Sequence, residues 1–208
     1  MADRSLTRTG LLGGSFNPAH RGHRRITLAA IDALALDEAW WLVSPGNPLK
    51  PAAGMAPLPA RLASARAMAR RAQIRATDIE ARLGTRYTLD TLRALKRRYP
   101  RRRFIWLMGA DNLAQFHRWR GWRRIARTIP IAVIARPGYD AGVLAAPAMA
   151  WLRRFRQPAN SAETWTTWRL PAIVLLRFHP DPTSATRIRA ANPGWISAFV
   201  DPPSQELP

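Results

Sequence analysis

Six short apolar runs, at 9–13, 39–43, 73–79, 104–108, 131–135 and 172–177, alternate with segments of helical period. This alternation limits the fold more than any other feature of the chain. The runs read as strands. Between them, residues 24–36 read as a helix. Leu58, Leu62, Ala65 and Ala69 share one helical face, and Leu89, Leu92, Leu95 and Tyr99 share another. Thr88 is placed to cap the latter helix, Asp90 complements the dipole in its first turn, and Pro100 ends it. Strands that alternate with helices argue for a parallel sheet covered on both faces. Right-handed crossovers turn that pattern into a doubly wound, Rossmann-like α/β domain. Residues 1–200 are expected to form that one domain, with 201–208 as a polar, Pro-rich, mobile tail. The stretches 47–59 and 137–160 look irregular, the second with a short helix expected around 148–155. Sheets of this kind bind ligands beyond the carboxyl ends of their strands, near the point where strand order reverses.

The string Gly13-Gly14-Ser15-Phe16-Asn17-Pro18-Ala19-His20-Arg21-Gly22-His23 stands where that rule wants a ligand, directly after the first run. Glycines at a strand end let the backbone approach a ligand closely, and Pro18 stiffens the turn. His20 and His23, three apart at a helix entry, share one face. Glycine amides, a helix N-terminus and two imidazoles together make a phosphate cradle. The glycine spacing is not that of the dinucleotide fingerprint G-x-G-x-x-G.

Further candidates follow the later runs. Lys50, in Pro45-Gly46-Asn47-Pro48-Leu49-Lys50, is either a phosphate-seeking ammonium or a solvated loop lysine. Arg86-Tyr87-Thr88 leads into a helix whose first amides can hold an anion, unless the helix is simply capped. Gly109 and Asp111 follow an apolar strand; Asp111 can accept from a ribose hydroxyl, order a metal-bound water, or only cap the next helix. Trp119 and Trp122, set among arginines, either stack on a flat ring or fill the core. Ser184 is a natural N-cap with Arg189 in the helix behind it, which makes a second anion site.

Composition narrows the function classes. The chain has 208 residues and no Cys, so disulfide frameworks and thiolate metal sites are excluded. No run is long enough to span a bilayer, and a cytoplasmic location without membrane partners is expected. There are 33 basic against 13 acidic residues, a net charge of +20, and only Lys50 and Lys96 are lysines. That balance favours polyanionic partners, whether nucleotides, phosphates, nucleic acid or acidic membrane surfaces, unless most of the excess reflects a general arginine bias with no specific partner. Because the arginines are scattered rather than gathered in a patch, any nucleic-acid binding is expected to be incidental.

The first and last motifs resemble the H-x-G-H nucleotidyltransferase superfamily, the first in its G-G-[ST]-F-[DN]-P-x-H-x-G-H form. The middle motifs are similar to those of the bacterial nicotinate-nucleotide adenylyltransferases, and the likeness runs over about residues 9–190. That family's P-x-x-P-x-K loop appears as Pro45 to Lys50, and its S-Y-T-x-D-T-L as Arg86 to Leu92. Its G-x-D with a following W appears as Gly109, Asp111 and Trp119, and its R-P-G-Y as Arg136 to Tyr139. Its I-S-S-T-x-I-R appears as Thr183 to Arg189. The chain departs from the pattern at Asn17, Arg86, Thr183 and Ala185, where Asp, Ser, Ile and Ser are commoner.

The resemblance implies a nucleotidyltransferase fold. It implies adenylyl transfer from ATP to nicotinate mononucleotide, giving deamido-NAD and pyrophosphate in NAD biosynthesis. His20 and His23 would be catalytic and hold the ATP phosphates. Gly13, Gly14, Ser15, Phe16, Gly109 and Asp111 would complete the ATP site, with Ser184 and Arg189 on its β- and γ-phosphates. Lys50, Tyr87, Thr88, Trp119 and Arg136 would bind the mononucleotide, Trp119 by stacking on the pyridine ring and the Thr88 region through backbone donors to the carboxylate. Magnesium would be bound mainly through ATP phosphates rather than by a protein metal site. An oligomer is possible. The alternatives are another member of the superfamily, such as a phosphopantetheine adenylyltransferase or a cytidylyltransferase, and a basic nucleic-acid-binding protein.

Overall fold

A computed structural model describes residues 6–46, 54–135, 144–178 and 183–199. Seven parallel strands lie in the order β3-β2-β1-β4-β5-β7-β6. They are β1 (Thr7–Gly14), β2 (Glu38–Val43), β3 (Ile74–Thr77), β4 (Arg102–Gly109), β5 (Ile131–Ala135), β6 (Arg156–Gln157) and β7 (Ile173–Arg177). The helices are α1 (Arg21–Ala33), α2 (Leu58–Ala69), α3 (Ile79–Arg82), α4 (Thr88–Arg98), α5 (Ala110–Phe116), α6 (Trp122–Ala126), α7 (Met149–Leu152) and α8 (Ala185–Ala191), with shorter 3₁₀ turns between. The Rossmann-like, doubly wound parallel sheet expected from the alternation is the one observed.

Burial on both faces explains why the strands read as unbroken apolar runs. Trp40, Trp41, Leu42 and Val43 are all buried, and successive side chains go to opposite faces. Leu11, Trp40, Leu42, Trp106 and Met108 meet Leu92 of α4, Phe116 of α5 and Ile125 of α6 on one face. Leu12, Trp41, Val43 and Leu107 meet Ile31 of α1 and Leu62 of α2 on the other. Each such aliphatic side chain contributes about 1.5–3 kcal/mol when fully buried.

Strand order reverses between β1 and β4, the neighbours from which the chain winds both ways. Their register pairs Leu12 with Leu107, so Gly13 and Gly14 finish β1 beside Gly109 at the end of β4. The crevice that the doubly wound rule assigns to a ligand opens there.

Several expected boundaries shift. Helix α1 begins at Arg21 rather than at 24 and ends at Ala33. Strand β3 stops at Thr77, because α3 takes over at Ile79. Thr88 does not cap α4: it is the first helical residue, Tyr87 is the N-cap, and no side chain caps the first amides. Strand β6, only two residues long, lies in the stretch expected to be irregular. The tail 201–208 lies outside the described residues.

Candidate active site

At the end of β1 the backbone passes close against Trp106. A Cβ on Gly13 would sit 2.7 Å from that ring, so only glycine lets the strand run into the turn here. Phe16 takes φ 47°, and its buried ring stacks on Trp41 at 5.0 Å and lies 4.9 Å from His23. Its side chain is therefore packing, and its backbone amide is the group left for a ligand. Asn17 uses both ends of its amide: Nδ2 donates to the Gly54 carbonyl (2.9 Å) and Oδ1 accepts from the Ala56 N–H (3.2 Å). An ionised Asp could make only the second bond.

His20 is the N-cap of α1, and its backbone N–H donates to Nδ1 of His23 at 3.2 Å. The rings lie 3.8 Å apart, centroid to centroid. This exchange closes the first turn and accounts for the early helix start. Burial, and secondarily the neighbouring His20, push the His23 pKa down to about 3. His23 is thus neutral, and with Nδ1 accepting, the hydrogen bond assigns its proton to Nε2. Behind it, the Thr27 hydroxyl donates to the His23 carbonyl and accepts from Nε1 of Trp41.

The last motif folds onto the first. A Cβ on Gly22 would lie 3.0 Å from the His20 ring and 3.3 Å from the Thr183 carbonyl, so this glycine admits both. Ser184 caps α8, its hydroxyl accepting from the Arg187 N–H at 3.2 Å. Nη1 of Arg189 donates to the Asn17 carbonyl at 2.6 Å, and Nη2 faces Thr186 at 3.4 Å. Residues more than 160 apart in sequence therefore share one end of the sheet.

A second cluster surrounds the start of α4. The Thr88 and Leu89 amides are first-turn donors without intrahelical acceptors. The Arg120 guanidinium lies 4.6 Å, and that of Arg86 5.9 Å, from the Tyr87 ring centroid. A Cβ on Gly121 would come within 3.0 Å of Leu89, so the turn after Trp119 is pressed onto α4. Trp119 is half-buried, held edge-on by Trp106 and Phe116. Trp122 packs between Phe116 and Trp151 in the core-facing aromatic cluster. Asp111 is exposed in the first turn of α5 and makes no cap bond, with its carboxylate turned back over Gly109. Lys50 and Arg136 lie outside the described residues.

Two groups escaped the sequence reading. Arg61 is 1% exposed and Glu80 8% exposed. Arg61 occupies the same helical face as Leu58, Leu62 and Ala65, so a charge on the buried stripe was the available signal. Glu80 carried no such signal, since α3 is a single turn. Its Oε1 accepts from the Thr91 hydroxyl (3.1 Å), which also contacts the Thr85 hydroxyl (2.8 Å). Burial raises the Glu80 pKa to about 7 against the smaller, opposite effect of the Thr91 bond.

Among the described residues no three His, Asp or Glu side chains gather to hold a metal, and no helix is long and apolar enough to cross a membrane. A cation at this end of the sheet would find Asp111 as the nearby exposed carboxylate and would take its other oxygens from phosphate and water.

Comparison with known proteins gives consistent likenesses. The cytidylyltransferase-like family model matches residues 11–191. A protein of Erythrobacter litoralis named "Probable nicotinate-nucleotide adenylyltransferase" is 66% identical over 92% of this chain and 88% of its own length. One of the same name from Parvibaculum lavamentivorans is 52% identical over 90% of this chain and 93% of its own. A solved structure, Plasmodium falciparum nicotinic acid mononucleotide adenylyltransferase complexed with NaAD, superposes with a TM-score of 0.65 at 15% identity. It covers 94% of this chain and 91% of that one, a likeness of fold.

Proposed function

Because the chain belongs to the cytidylyltransferase-like family and, within it, to the nicotinate-nucleotide adenylyltransferases, we propose the following assignment of its residues to adenylyl transfer in NAD biosynthesis. A phosphate oxygen of nicotinate mononucleotide attacks the α-phosphorus of ATP in line. The bond to the bridging β-phosphate oxygen breaks, deamido-NAD forms and pyrophosphate leaves. The enzyme forms no covalent intermediate, so its contribution is positioning and stabilisation of charge.

ATP lies in the crevice between the ends of β1 and β4. Gly13, Gly14, Ser15, Phe16 and Gly109 let its phosphates approach the backbone, and Asp111 meets the ribose or a hydrated cation. His20 and His23 donate to phosphate oxygens as charge moves towards the leaving group; His23 does so through Nε2–H. Ser184 and Arg189 hold the β- and γ-phosphates. Magnesium, bound mainly through those phosphates and water, would neutralise part of their charge. The mononucleotide stacks on Trp119, turns its carboxylate to the first amides of α4 beside Tyr87 and Thr88, and meets Lys50 and Arg136 with its phosphate. An enzyme that takes ATP and a mononucleotide as substrates fits the cytoplasm.

The observation that carries this assignment is the closure of the last motif on the first, with Thr183 against Gly22 and Arg189 bonded to Asn17, at the strand-order reversal. It is tested by pyrophosphate release from ATP with nicotinate mononucleotide, nicotinamide mononucleotide or phosphopantetheine as acceptor. Fast release with nicotinate mononucleotide, much slower release with nicotinamide mononucleotide and none with phosphopantetheine are expected. Release with phosphopantetheine would move the chain to a different member of the superfamily.

A further inference from the structure

Arg61 sits on the sheet-facing side of α2 with its guanidinium sealed inside the protein. It forms no ion pair among the described residues. Its partners are main-chain carbonyls: Nε donates to Ala56 (2.8 Å), Nη1 to Ser15 (2.8 Å) and Ser44 (2.7 Å), and Nη2 to Pro45 at a long 3.4 Å. These carbonyls belong to three separate segments: the turn after β1, the turn after β2 and the lead into α2. Two of the three follow the carboxyl ends of strands, where the doubly wound fold binds ligands. Burial lowers the pKa of Arg61 from its usual value, yet a guanidinium stays charged in a protein. An apolar side chain could fill the same space without bringing a charge out of water.

Peptide geometry gives the contacts a direction. In a trans peptide the N–H points opposite to the C=O, and neither the Ser15–Phe16 nor the Pro45–Gly46 bond is cis. With the carbonyls of Ser15 and Pro45 drawn towards Arg61, the N–H groups of Phe16 and Gly46 face away from it. Among the described residues neither amide has an acceptor. Phe16, at φ 47°, holds a conformation that an L-residue keeps only when fastened. The ties continue outwards: Asn17 clamps Gly54 and Ala56, and Arg189 clamps Asn17.

We propose that Arg61 is a positioning residue of the transferase: it locks the turns after β1 and β2 so that the Phe16 and Gly46 amides meet substrate phosphate oxygens, and the bound phosphates offset its buried charge. The inference rests on the adenylyl-transfer assignment above. A lysine cannot replace the planar fork, because one compact ammonium cannot span carbonyls from three segments.

The test compares wild type with Arg61→Lys and Arg61→Met, assayed for pyrophosphate release well below each protein's melting midpoint so that loss of stability alone leaves the rate untouched. Folded Arg61→Lys is expected to lose on the order of a hundredfold in kcat, as misplaced substrate groups do, with a smaller rise in KM for ATP. Wild-type kcat and KM in folded Arg61→Lys, with only a lower melting temperature, would overturn the positioning role. Amide spectra under inorganic pyrophosphate supply a readout independent of turnover. Phe16 and Gly46 signals should move in wild type and stay still in Arg61→Lys. No movement in wild type, or equal movement in both, overturns the inference. Because this titration needs no acceptor substrate, it separates failure of the positioning role from failure of the assigned reaction.

Discussion

One hydrogen bond fixes the tautomer of His23. Nδ1 accepts from the His20 backbone N–H, leaving Nε2–H as its only donor. With its pKa near 3, the ring offers that donor without carrying a charge of its own. Two substitutions separate these duties. An Asn amide oxygen falls near the Nδ1 position and can keep the bond to His20, but it reaches no further. A Gln amide falls near Nε2 and can donate outwards while giving up the cap. His23→Asn is therefore expected to fold well and lose about a hundredfold or more in kcat, the usual effect of removing a transition-state hydrogen-bond donor. His23→Gln should keep more activity and less stability. A folded His23→Asn with wild-type turnover would remove His23 from the chemistry. Stability should report the same ring. Its folded pKa lies below the ordinary 6.5, so between about 3 and 6.5 the unfolded chain binds the extra proton. The resulting stabilisation is complete above pH 6.5 and is lost as the pH falls towards 3, an effect of up to a few kcal/mol. Thermal melts between pH 7 and 4 should fall more steeply for wild type than for His23→Asn; parallel curves would contradict the buried, neutral ring.

At the scale of elements, the start of α4 is held by a buried carboxyl rather than by a cap. Glu80 on α3 reaches across to Thr91 on α4, and Thr85 closes the triangle from the connecting turn. A carboxyl whose folded pKa is raised from 4.5 to about 7 stabilises the fold below 4.5, and that contribution is lost as the pH rises through 7. Gln at this position keeps an oxygen for Thr91 and never ionises. Glu80→Gln should therefore melt higher than wild type at pH 8, by an amount worth about 1–3 kcal/mol, with the gap closing near pH 5. A lower melting temperature at pH 8 would mean that the ionised carboxylate is the better partner. Glu80 was not legible in the sequence as a site group, because a carboxylate on a single-turn helix looks the same whether it faces water or the interior, whereas Arg61 showed only as a charge on the apolar stripe of α2, with nothing to name its carbonyl partners. What was legible had a period or a string behind it. The apolar runs gave the strands, the spacing of Leu89, Leu92 and Leu95 gave α4, and Ser184 gave the cap of α8. The start of α1 lies three residues before the expected one because imidazoles rather than a Ser or Asp close its first turn. Residue type marks Thr88 as a cap, yet the chain enters α4 through Tyr87, whose ring is occupied by two guanidiniums.

At the scale of the whole molecule, the sheet brings the half-buried Trp119 and the start of α4 to one end, although some thirty residues separate them in sequence. Trp119 follows β4 through α5, and the turn behind it is pressed on α4, with Arg120 over Tyr87 and Gly121 against Leu89. Nicotinate and nicotinamide mononucleotides differ only in carboxylate against amide. Stacking on Trp119 cannot tell them apart, since both rings are flat and alike in size. In the proposed assignment, discrimination falls to the donors facing the carboxylate. The first amides of α4 present N–H groups and the positive end of the helix dipole, which favour an anion. An amide would turn its own NH₂ towards those donors and leave them unpaired. Arg86, standing where the family more often has Ser, and Arg120 add positive potential at the same rim. A preference for the acid of roughly a hundredfold or more in kcat/KM is therefore expected, as for sites that leave buried polar groups unpaired by the wrong substrate. Trp119→Ala should weaken both mononucleotides and keep their ratio, whereas Arg120→Ala should narrow the ratio and leave stacking intact. Measuring kcat/KM for both mononucleotides in the three proteins decides the matter. Equal use of acid and amide by wild type would refute selection at the α4 start, while adenylyl transfer itself would stand.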